Sequence, residues 1–303
     1  MSLRSGASFS IVLAIIGNFI GISAPAYNHV IDTADKEAVY SGVEYSRSNG
    51  VPLLFDAAIP AGEGPFPAAI IVHGGAWVSG NRKTNVQPLF RPLSAAGFAW
   101  FSIDYTLVKD LAQLGAGIED VNHAVAFIKA HAAQYRVNPN KIALIGESAG
   151  GQIAAMAALG NGPGTGVQAV VAMYAPTDLA ALAKSSNYIP PSFRNALAGT
   201  PFEAILMAGL STFSPINQVR RNMPPFLFIH GTADPLVPFQ QSVNMCDRMK
   251  AVGADCEIYP VQGAGHGMLW WPSAGINSGY RKVMIDWLDK KLTVTRIRAT
   301  VGR

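Results

Sequence analysis

Short β-rich runs alternate with longer helix-like runs from residue 69 onward, and this alternation limits the fold more than any other feature. Parallel strands need long crossover connections, which are usually helices. Six strands are predicted, at residues 69–73, 99–104, 142–146, 169–174, 226–230 and 256–260. Apolar residues recur at helical spacing in residues 118–134, 240–252 and 281–292. The pattern therefore predicts the α/β class, with a mostly parallel central sheet and helices on both faces.

One or two further strands are predicted ahead of this alternation, and one connection within it is unusually long. Residues 43–46 and 53–59 have the pattern of one or two antiparallel edge strands. About 50 residues separate the strand ending at Tyr174 from the strand beginning at Phe226. Because ligands of open α/β sheets bind at the carboxyl edge, we expect an insertion at about residues 177–222 to line a site there.

Composition excludes several classes of protein. Half of the 303 residues are apolar and only 14% are charged, which excludes intrinsic disorder. Beyond residue 22 the apolar runs are short and interrupted, which excludes a polytopic membrane protein. The net charge of +4 is thinly spread and the basic tail carries no interleaved aromatic residues, so no nucleic-acid partner is expected. No low-complexity linker interrupts residues 40–292, and residues 27–303 are predicted to form a single domain.

Residues 1–26 have the pattern of an export signal, a signal peptide. Arg4 precedes an apolar stretch at residues 9–22, and small residues follow at the spacing that a signal peptidase recognises. The alternative is a single membrane anchor, but glycine and asparagine within the stretch make it short and polar for a span. We therefore expect export to the periplasm or the extracellular space, with no stable membrane insertion after the signal is removed.

The two cysteines, Cys246 and Cys256, would meet oxidising conditions in an exported chain. Cys246 is predicted on a helix and Cys256 at the start of the following strand, where the helix axis often lies too far from the sheet for a bridge. The sequence leaves their pairing open. Neither belongs to a CxxC or histidine-rich pattern, so no metal site is predicted.

The sequence Gly-Glu-Ser-Ala-Gly at residues 146–150 places Ser148 where a predicted strand ends and a small-residue helix begins. A serine on such a turn adopts a strained conformation that projects its hydroxyl, and the glycines let strand and helix approach. The helix start also directs free amides to the same point, which suits a developing negative charge. Ser148 is therefore predicted to be a nucleophile. The plainer interpretation is a glycine-rich turn before a helix.

A serine hydroxyl needs a neighbouring base, which in this chain order follows a late strand. His266 lies in a glycine-rich loop directly after residues 256–260, whereas the other five histidines lie on helices, at strand ends or near the amino terminus. An acid must orient the imidazole. Asp234, in a short turn after residues 226–230, is favoured over Asp178, which enters the insertion. For either aspartate the plainer role is to cap a turn.

A developing oxyanion needs donors from a second loop, and the sequence His-Gly-Gly-Ala-Trp at residues 73–77 follows the first central strand. Its glycines let the backbone amides turn inward. The predicted oxyanion-hole donors are the amides of Gly75, Ala76 and Ala149.

In combination these motifs resemble α/β-hydrolase esterases near hormone-sensitive lipase, and in particular the bifunctional feruloyl and acetyl-xylan esterases. The resemblance rests on HGGAW, the Asp-Tyr pair at residues 104–105, GESAGG, HGTADPLVP and GAGHG, and it covers residues 40–292. It implies a sheet of about eight strands, a catalytic triad of Ser148, Asp234 and His266, and no cofactor or metal. It also implies a serine carboxylesterase that forms an acyl-enzyme with short-chain (acetyl-type) or feruloyl esters, small or carried on plant polysaccharide.

The sequence departs from the lipase pattern at Ala76, which replaces the third glycine of HGGG. Kynurenine formamidases share an HGGxW loop of this form, so hydrolysis of an amide is the alternative. A third hypothesis is an inactive hydrolase fold that serves as a binding scaffold, against which the intact serine, histidine and acid argue.

Four aromatic residues near these motifs are predicted to contact substrate: Trp77, Tyr105, Trp270 and Trp271. Packing is the plainer interpretation for Trp77 and for one of the two adjacent tryptophans. Glu147, beside the predicted nucleophile, is expected to face away and to bond a backbone amide.

Overall fold

The computed structural model describes residues 37–109, 113–160, 164–185, 192, 195–196, 198–272 and 279–293. The predicted export signal lies outside the described residues, as do parts of the predicted insertion and the basic tail beyond residue 293. No helix in the described ranges combines the length and the apolar character that crossing a membrane requires.

Eight strands pair into one sheet within the described residues. They are β1 (Ala38–Ser48), β2 (Val51–Ile59), β3 (Phe66–Val72), β4 (Ala99–Ile103), β5 (Val137–Glu147), β6 (Ala169–Met173), β7 (Phe226–Gly231) and β8 (Cys256–Val261). Their order across the sheet is β1-β2-β4-β3-β5-β6-β7-β8. The pairs β1–β2 and β2–β4 are antiparallel and all the others are parallel. The predicted mostly parallel sheet is confirmed, and the edge segment forms two strands.

The α-helices of the described residues lie in the connections between these strands, except the last helix, which follows β8. They are α1 (Gln87–Ala95), α2 (Ala116–Ala130), α3 (Ala149–Leu159), α4 (Leu179–Ser185), α5 (Pro201–Thr212), α6 (Gln240–Ala251) and α7 (Gly279–Thr293). A short 3₁₀ helix, Pro215–Gln218, precedes β7. One core layer packs α2, α3 and α6 against the sheet, and the other packs α1 and α7. Helices therefore cover both faces, as predicted.

The central strands are buried on both faces, which explains their nearly continuous apolar sequences. Every residue of β4, β6 and β7 is buried. The main difference from the prediction is β5, which begins at Val137 instead of residue 142. Its first residues are largely polar and lack an apolar run, but Val137 pairs with Phe66 of β3 and the Phe66 amide donates to the Arg136 carbonyl.

The carboxyl ends of the parallel strands bring the predicted site residues to one edge of the sheet. The loop after β3 contains Gly75 and Ala76, Ser148 follows β5, Asp234 follows β7 and His266 follows β8. Since β3, β5, β6, β7 and β8 are consecutive neighbours in the sheet, these loops lie side by side.

The long connection between β6 and β7 contains α4, α5 and the 3₁₀ helix. Thr200 caps α5, because its hydroxyl accepts from the Glu203 amide at 3.2 Å. The end of the connection is tied to α3, since Gln152 Nε2 donates to the Phe213 carbonyl at 2.7 Å. Gln152 lies one turn beyond Ser148, so this segment is anchored beside the predicted nucleophile.

Cys246 of α6 and Cys256 of β8 form a disulfide, with their Cα atoms 5.5 Å apart. The sequence left this pairing open. It forms because a tight turn follows α6, in which the Ala254 amide donates to the Met249 carbonyl at 2.9 Å. This turn brings the start of β8 back against the last turns of the helix, where both cysteines are buried.

Replacing both cysteines with alanine is expected to lower the free energy of unfolding by about 3 kcal/mol, because the bridge closes a loop of roughly ten residues in the unfolded chain. Urea unfolding followed by tryptophan fluorescence measures the difference. Dithiothreitol should lower the wild-type midpoint and leave the double variant unchanged. Identical midpoints for the oxidised wild type and the variant would contradict a stabilising role for the disulfide.

Candidate active site

Ser148 occupies a strained turn between β5 and α3. Its φ of 52° and ψ of −123° lie in a region that residues with side chains rarely adopt. The turn is held because the Ser148 amide donates to the Met173 carbonyl of β6 at 2.9 Å, and the Ser148 carbonyl accepts from the Gly151 amide at 2.9 Å. These bonds fix the backbone in the conformation that projects the hydroxyl from the sheet edge.

The glycines on either side of Ser148 are required by close backbone approach. A Cβ atom on Gly146 would lie 2.3 Å from the Gly150 carbonyl oxygen, and one on Gly150 would lie 2.2 Å from the His73 carbonyl oxygen. Both separations are far inside van der Waals contact. The predicted reason for these glycines is therefore confirmed, since α3 approaches β5 and β3 too closely for a side chain at either position.

Three side chains from distant loops form a hydrogen-bonded row. His266 Nε2 lies 2.9 Å from Ser148 Oγ, and His266 Nδ1 lies 2.7 Å from Asp234 Oδ2. The Asp234 side chain is fully buried, whereas that of His266 is 12% exposed. The structure thus brings the predicted nucleophile, base and acid together in the order that proton transfer needs.

The surroundings of Asp234 keep its carboxyl group ionised. Its Oδ1 accepts from the Leu236 and Val237 amides, each at 2.9 Å, and His230 Nε2 lies 3.4 Å from its Oδ2. Burial raises the pKa of Asp234, but the hydrogen bonds from His230 and His266, the charge of His266 and the Val237 amide outweigh burial and hold the pKa well below its usual range. An ionised Asp234 makes His266 Nδ1 the donor and leaves Nε2 to accept the serine proton.

Asp178, the alternative acid, has a different role. Its Oδ1 accepts from the Ala181 amide at 2.9 Å and so caps the start of α4. Its own amide donates to Gln241 Oε1 at 2.7 Å. Asp178 is therefore the helix-capping aspartate of the plainer interpretation.

The loop after β3 is shaped to present backbone amides. Gly75, Ala76 and Trp77 all have positive φ, at 122°, 50° and 66°. The Gly75 carbonyl points into a tight turn, where it accepts from the Val78 and Ser79 amides at 3.1 and 3.0 Å. In the part of the chain that the structure describes, the Gly75 and Ala76 amides have no hydrogen-bond acceptor. Ala149 begins α3, so its amide likewise lacks a partner within the helix.

Three of the four aromatic residues predicted to contact substrate are used in packing, which corrects that expectation. Trp77 is buried and donates to Gln152 Oε1 at 2.8 Å. Tyr105 is buried, stacks on His73 and donates to the His73 carbonyl at 3.1 Å. Trp271 is buried and donates to the Gly265 carbonyl at 2.9 Å.

Trp270 differs from these three residues. Its side chain is 46% exposed, and its amide donates to the Gly267 carbonyl at 3.1 Å, next to His266. Of the four predicted contacts, it is the one whose ring remains open to a ligand.

The histidines at the carboxyl ends of β3 and β7 stabilise loops. His73 Nδ1 donates to the Gly74 carbonyl at 2.7 Å, and His230 Nδ1 accepts from Ser242 Oγ at 2.7 Å. Burial lowers the pKa of His73 to about 4, although the Gly74 hydrogen bond and the charge of Asp104 act in the opposite direction. His73 therefore stays neutral at physiological pH.

Sequence reasoning missed Arg82, which holds the loop after Trp77 in place. Its Nη1 donates to Asp104 Oδ2 at 2.5 Å, its amide to Asp104 Oδ1 at 2.9 Å and its Nε to Asp56 Oδ1 at 3.0 Å. The guanidinium is thus held between Asp56, within β2, and Asp104, directly after β4. The Asp-Tyr pair at residues 104–105 was a visible signal, but nothing local shows which cation meets Asp104.

Sequence reasoning also missed Tyr174, whose ring meets the edge of His266 with the centroids 4.9 Å apart.

The expectation for Glu147 is confirmed, because its Oε1 accepts from the Gly74 amide at 2.6 Å. No cluster of side chains suited to a metal ion occurs among the residues described.

The profile of the BD-FAE family matches residues 55–249. Two curated relatives come from Mycobacterium tuberculosis. The probable carboxylic ester hydrolase LipM is 30% identical over 71% of this chain and 52% of its own length. Esterase LipC is 33% identical over 67% of this chain and 53% of its own. The chain therefore spans about half the length of these relatives.

Solved structures give a similar result, and the similarity covers nearly the whole length of those structures. A truncated carbohydrate esterase from gut microbiota has a TM-score of 0.68 and 28% identity, covering 84% of this chain and 96% of its own. Esterase 2 of Thermogutta terrifontis in its apo form has a TM-score of 0.65 and 25% identity, covering 85% and 94%. The fold is thus the α/β-hydrolase fold of these esterases.

Replacing Asp234 with asparagine is expected to lower the free energy of unfolding at neutral pH by roughly 2 kcal/mol, since a buried charged acceptor is lost. The folded-state pKa of Asp234 is lowered, so its stabilising effect is complete well above the unfolded pKa of about 3.9 and is lost as the pH falls through the folded pKa. Urea unfolding between about pH 7 and pH 3 should show the two proteins converging at acidic pH.

The control is Asp178→Asn, which keeps a helix-capping oxygen and should give only a small difference at neutral pH. A gap between wild type and Asp234→Asn that stays constant over the whole range would show that folding does not lower the pKa of Asp234.

Proposed function

The chain belongs to the BD-FAE family, and from this membership we propose that it is a serine-dependent carboxylic ester hydrolase. The observation that carries the proposal is the row of hydrogen bonds from Ser148 through His266 to the buried Asp234. The similarity to carboxylic ester hydrolases of Mycobacterium tuberculosis and to solved esterases supports the same reaction.

In the first half of the reaction, Ser148 Oγ attacks the ester carbonyl carbon while His266 Nε2 takes the hydroxyl proton. The carbonyl oxygen becomes negatively charged and accepts hydrogen bonds from the Gly75, Ala76 and Ala149 amides. When the intermediate collapses, the bond to the alcohol oxygen breaks and His266 returns the proton to that oxygen. The alcohol leaves, and the acyl group remains on Ser148.

In the second half, water attacks the acyl carbon and gives a proton to His266 Nε2. Collapse releases the carboxylic acid and returns the proton to Ser148 Oγ. Asp234 stabilises the imidazolium that forms in both halves, and it does so without being protonated. The protein's own side chains and amides supply each proton transfer and each charge contact in this scheme.

For the substrate we favour acetyl-type or feruloyl esters, either small or carried on a plant polysaccharide. The exposed ring of Trp270 beside the His266 loop supports this class, because sugar and phenolic rings bind by stacking on aromatic side chains. The similar structure described as a carbohydrate esterase is consistent with it. We also favour export, which agrees with the Cys246–Cys256 disulfide, since such bonds persist in oxidising compartments.

Ser148→Ala is expected to abolish turnover of p-nitrophenyl acetate, because the attacking oxygen is removed while the fold is retained. The assay is spectrophotometric, with circular dichroism as the check on folding. The wild type should also be labelled by an organophosphonate, and Ser148→Ala should not. A wild type that is folded, inactive and unlabelled would instead indicate a binding scaffold.

Trp270→Ala is expected to raise KM for methyl ferulate and acetylated xylo-oligosaccharides by about fivefold, since stacking on an exposed aromatic ring contributes roughly 1 kcal/mol. Hydrolysis of methyl acetate should change little. The matched control is Val51→Ala, which removes an exposed apolar side chain at the distant β1–β2 turn. Equal effects on all three substrates would argue against a ring-binding role for Trp270.

The leaving group is tested with the same wild-type protein. The ester hydrolase proposed here should have a higher kcat/KM for an acetyl ester than for a formylated aromatic amine. The opposite preference would indicate an amide hydrolase of the formamidase type.

A further inference from the structure

Glu147 is a buried acid that the reaction scheme does not use. It precedes Ser148, yet its side chain points back between the loops instead of toward substrate, with Oε1 accepting from the Gly74 amide at 2.6 Å. The contact is tight, because a Cβ atom on Gly74 would lie only 2.4 Å from this oxygen. Gly74 directly precedes Gly75 and Ala76, so Glu147 holds the backbone that leads into the proposed oxyanion donors.

Tyr174 makes the corresponding contacts on the opposite side. It follows β6 with a positive φ of 39°, and its hydroxyl faces the Glu147 carboxyl group and favours the charged form of that group. The same hydroxyl accepts from the Met268 amide at 3.2 Å, two residues beyond His266. Its ring packs edge-on against the imidazole of His266.

A chain of contacts thus runs from the Gly74 amide through Glu147 and Tyr174 to the Met268 amide. One end determines where the oxyanion donors lie, and the other determines where the base lies. These two loops follow different strands, and no covalent bond between them fixes the distance that separates them. Catalysis requires that separation to be kept within a fraction of an ångström.

We propose that Glu147 and Tyr174 are a positioning pair that holds the oxyanion loop and the His266 loop at the spacing required by the reaction at Ser148. This inference rests on the proposed ester hydrolysis. Neither side chain is placed to contact substrate or to transfer a proton, so the pair acts through the Gly74 amide and through the packing of Tyr174 on His266. The expected signature is weaker transition-state stabilisation with little change in substrate binding.

The test compares Glu147→Gln, Tyr174→Phe and the double variant on p-nitrophenyl acetate. Glu147→Gln keeps the shape of the side chain but turns one of its two acceptor oxygens into an NH₂ donor. Tyr174→Phe keeps the ring on His266 and removes only the hydroxyl. Each single variant should lower kcat about tenfold with KM within about twofold. Because both changes break one chain, the double variant should lose far less than the product of the two single losses.

A second readout is the affinity for an alkyl trifluoromethyl ketone, which Ser148 attacks to give a tetrahedral oxyanion. Its affinity should fall in parallel with kcat in both single variants. The control is Tyr135→Phe, another buried tyrosine, whose ring packs on Phe55 and Phe101 in the far core layer and which should match the wild type.

The outcomes separate the two proposals. A wild type that neither turns over ester nor reacts with the ketone overturns the proposed hydrolysis and the positioning pair together. An active wild type with unchanged kcat and ketone affinity in Tyr174→Phe overturns the positioning pair alone. Fully multiplicative losses in the double variant would also overturn it. If Glu147→Gln fails to fold, Tyr174→Phe still decides through kcat, KM and ketone affinity.

Discussion

The close approach of α3 to β5 and β3 at Ser148 is the constraint on which the site depends. Gly146 and Gly150 remove the Cβ atoms that would collide there, and the Met173 carbonyl holds the Ser148 amide. The strained φ of Ser148 is thereby over-determined by its surroundings, which is how such backbone strain persists. Without this approach the hydroxyl and the first amide of α3 would not converge on one point.

Parallel topology provides the rest of the constellation. Neighbouring strands end at one edge, so loops more than a hundred residues apart in sequence meet beside Ser148. Burial acts on both Asp234 and His73, but their hydrogen-bond partners differ. Asp234 is surrounded by donors and stays charged, whereas His73 is desolvated and stays neutral. Two histidines at similar strand-end positions, His73 and His230, are thus fixed by hydrogen bonds while the loop histidine His266 faces the serine.

The sequence predicts the sheet and the residues of the row well, because both depend on local patterns combined with one topological rule. Ser148 is marked by its flanking glycines, and His266 and Asp234 are marked by their places after late strands. The roles of the aromatic residues were less predictable. Trp77 and Trp271 differ from Trp270 only in being buried, and their burial depends on partners such as Gln152 and Gly265. The contacts of Arg82 and Tyr174 join distant segments and have no local signal.

Trapping the acyl-enzyme tests the proposed nucleophile, Ser148, most directly. Wild-type protein mixed with p-nitrophenyl acetate is quenched in acid within milliseconds, digested and analysed by mass spectrometry. The peptide containing Ser148 should gain the mass of one acetyl group, fragmentation should assign the group to Ser148, and a stoichiometric burst of p-nitrophenolate should accompany it. Steady turnover with no acetylated Ser148, or with the acetyl group on another residue, would contradict the central role of Ser148.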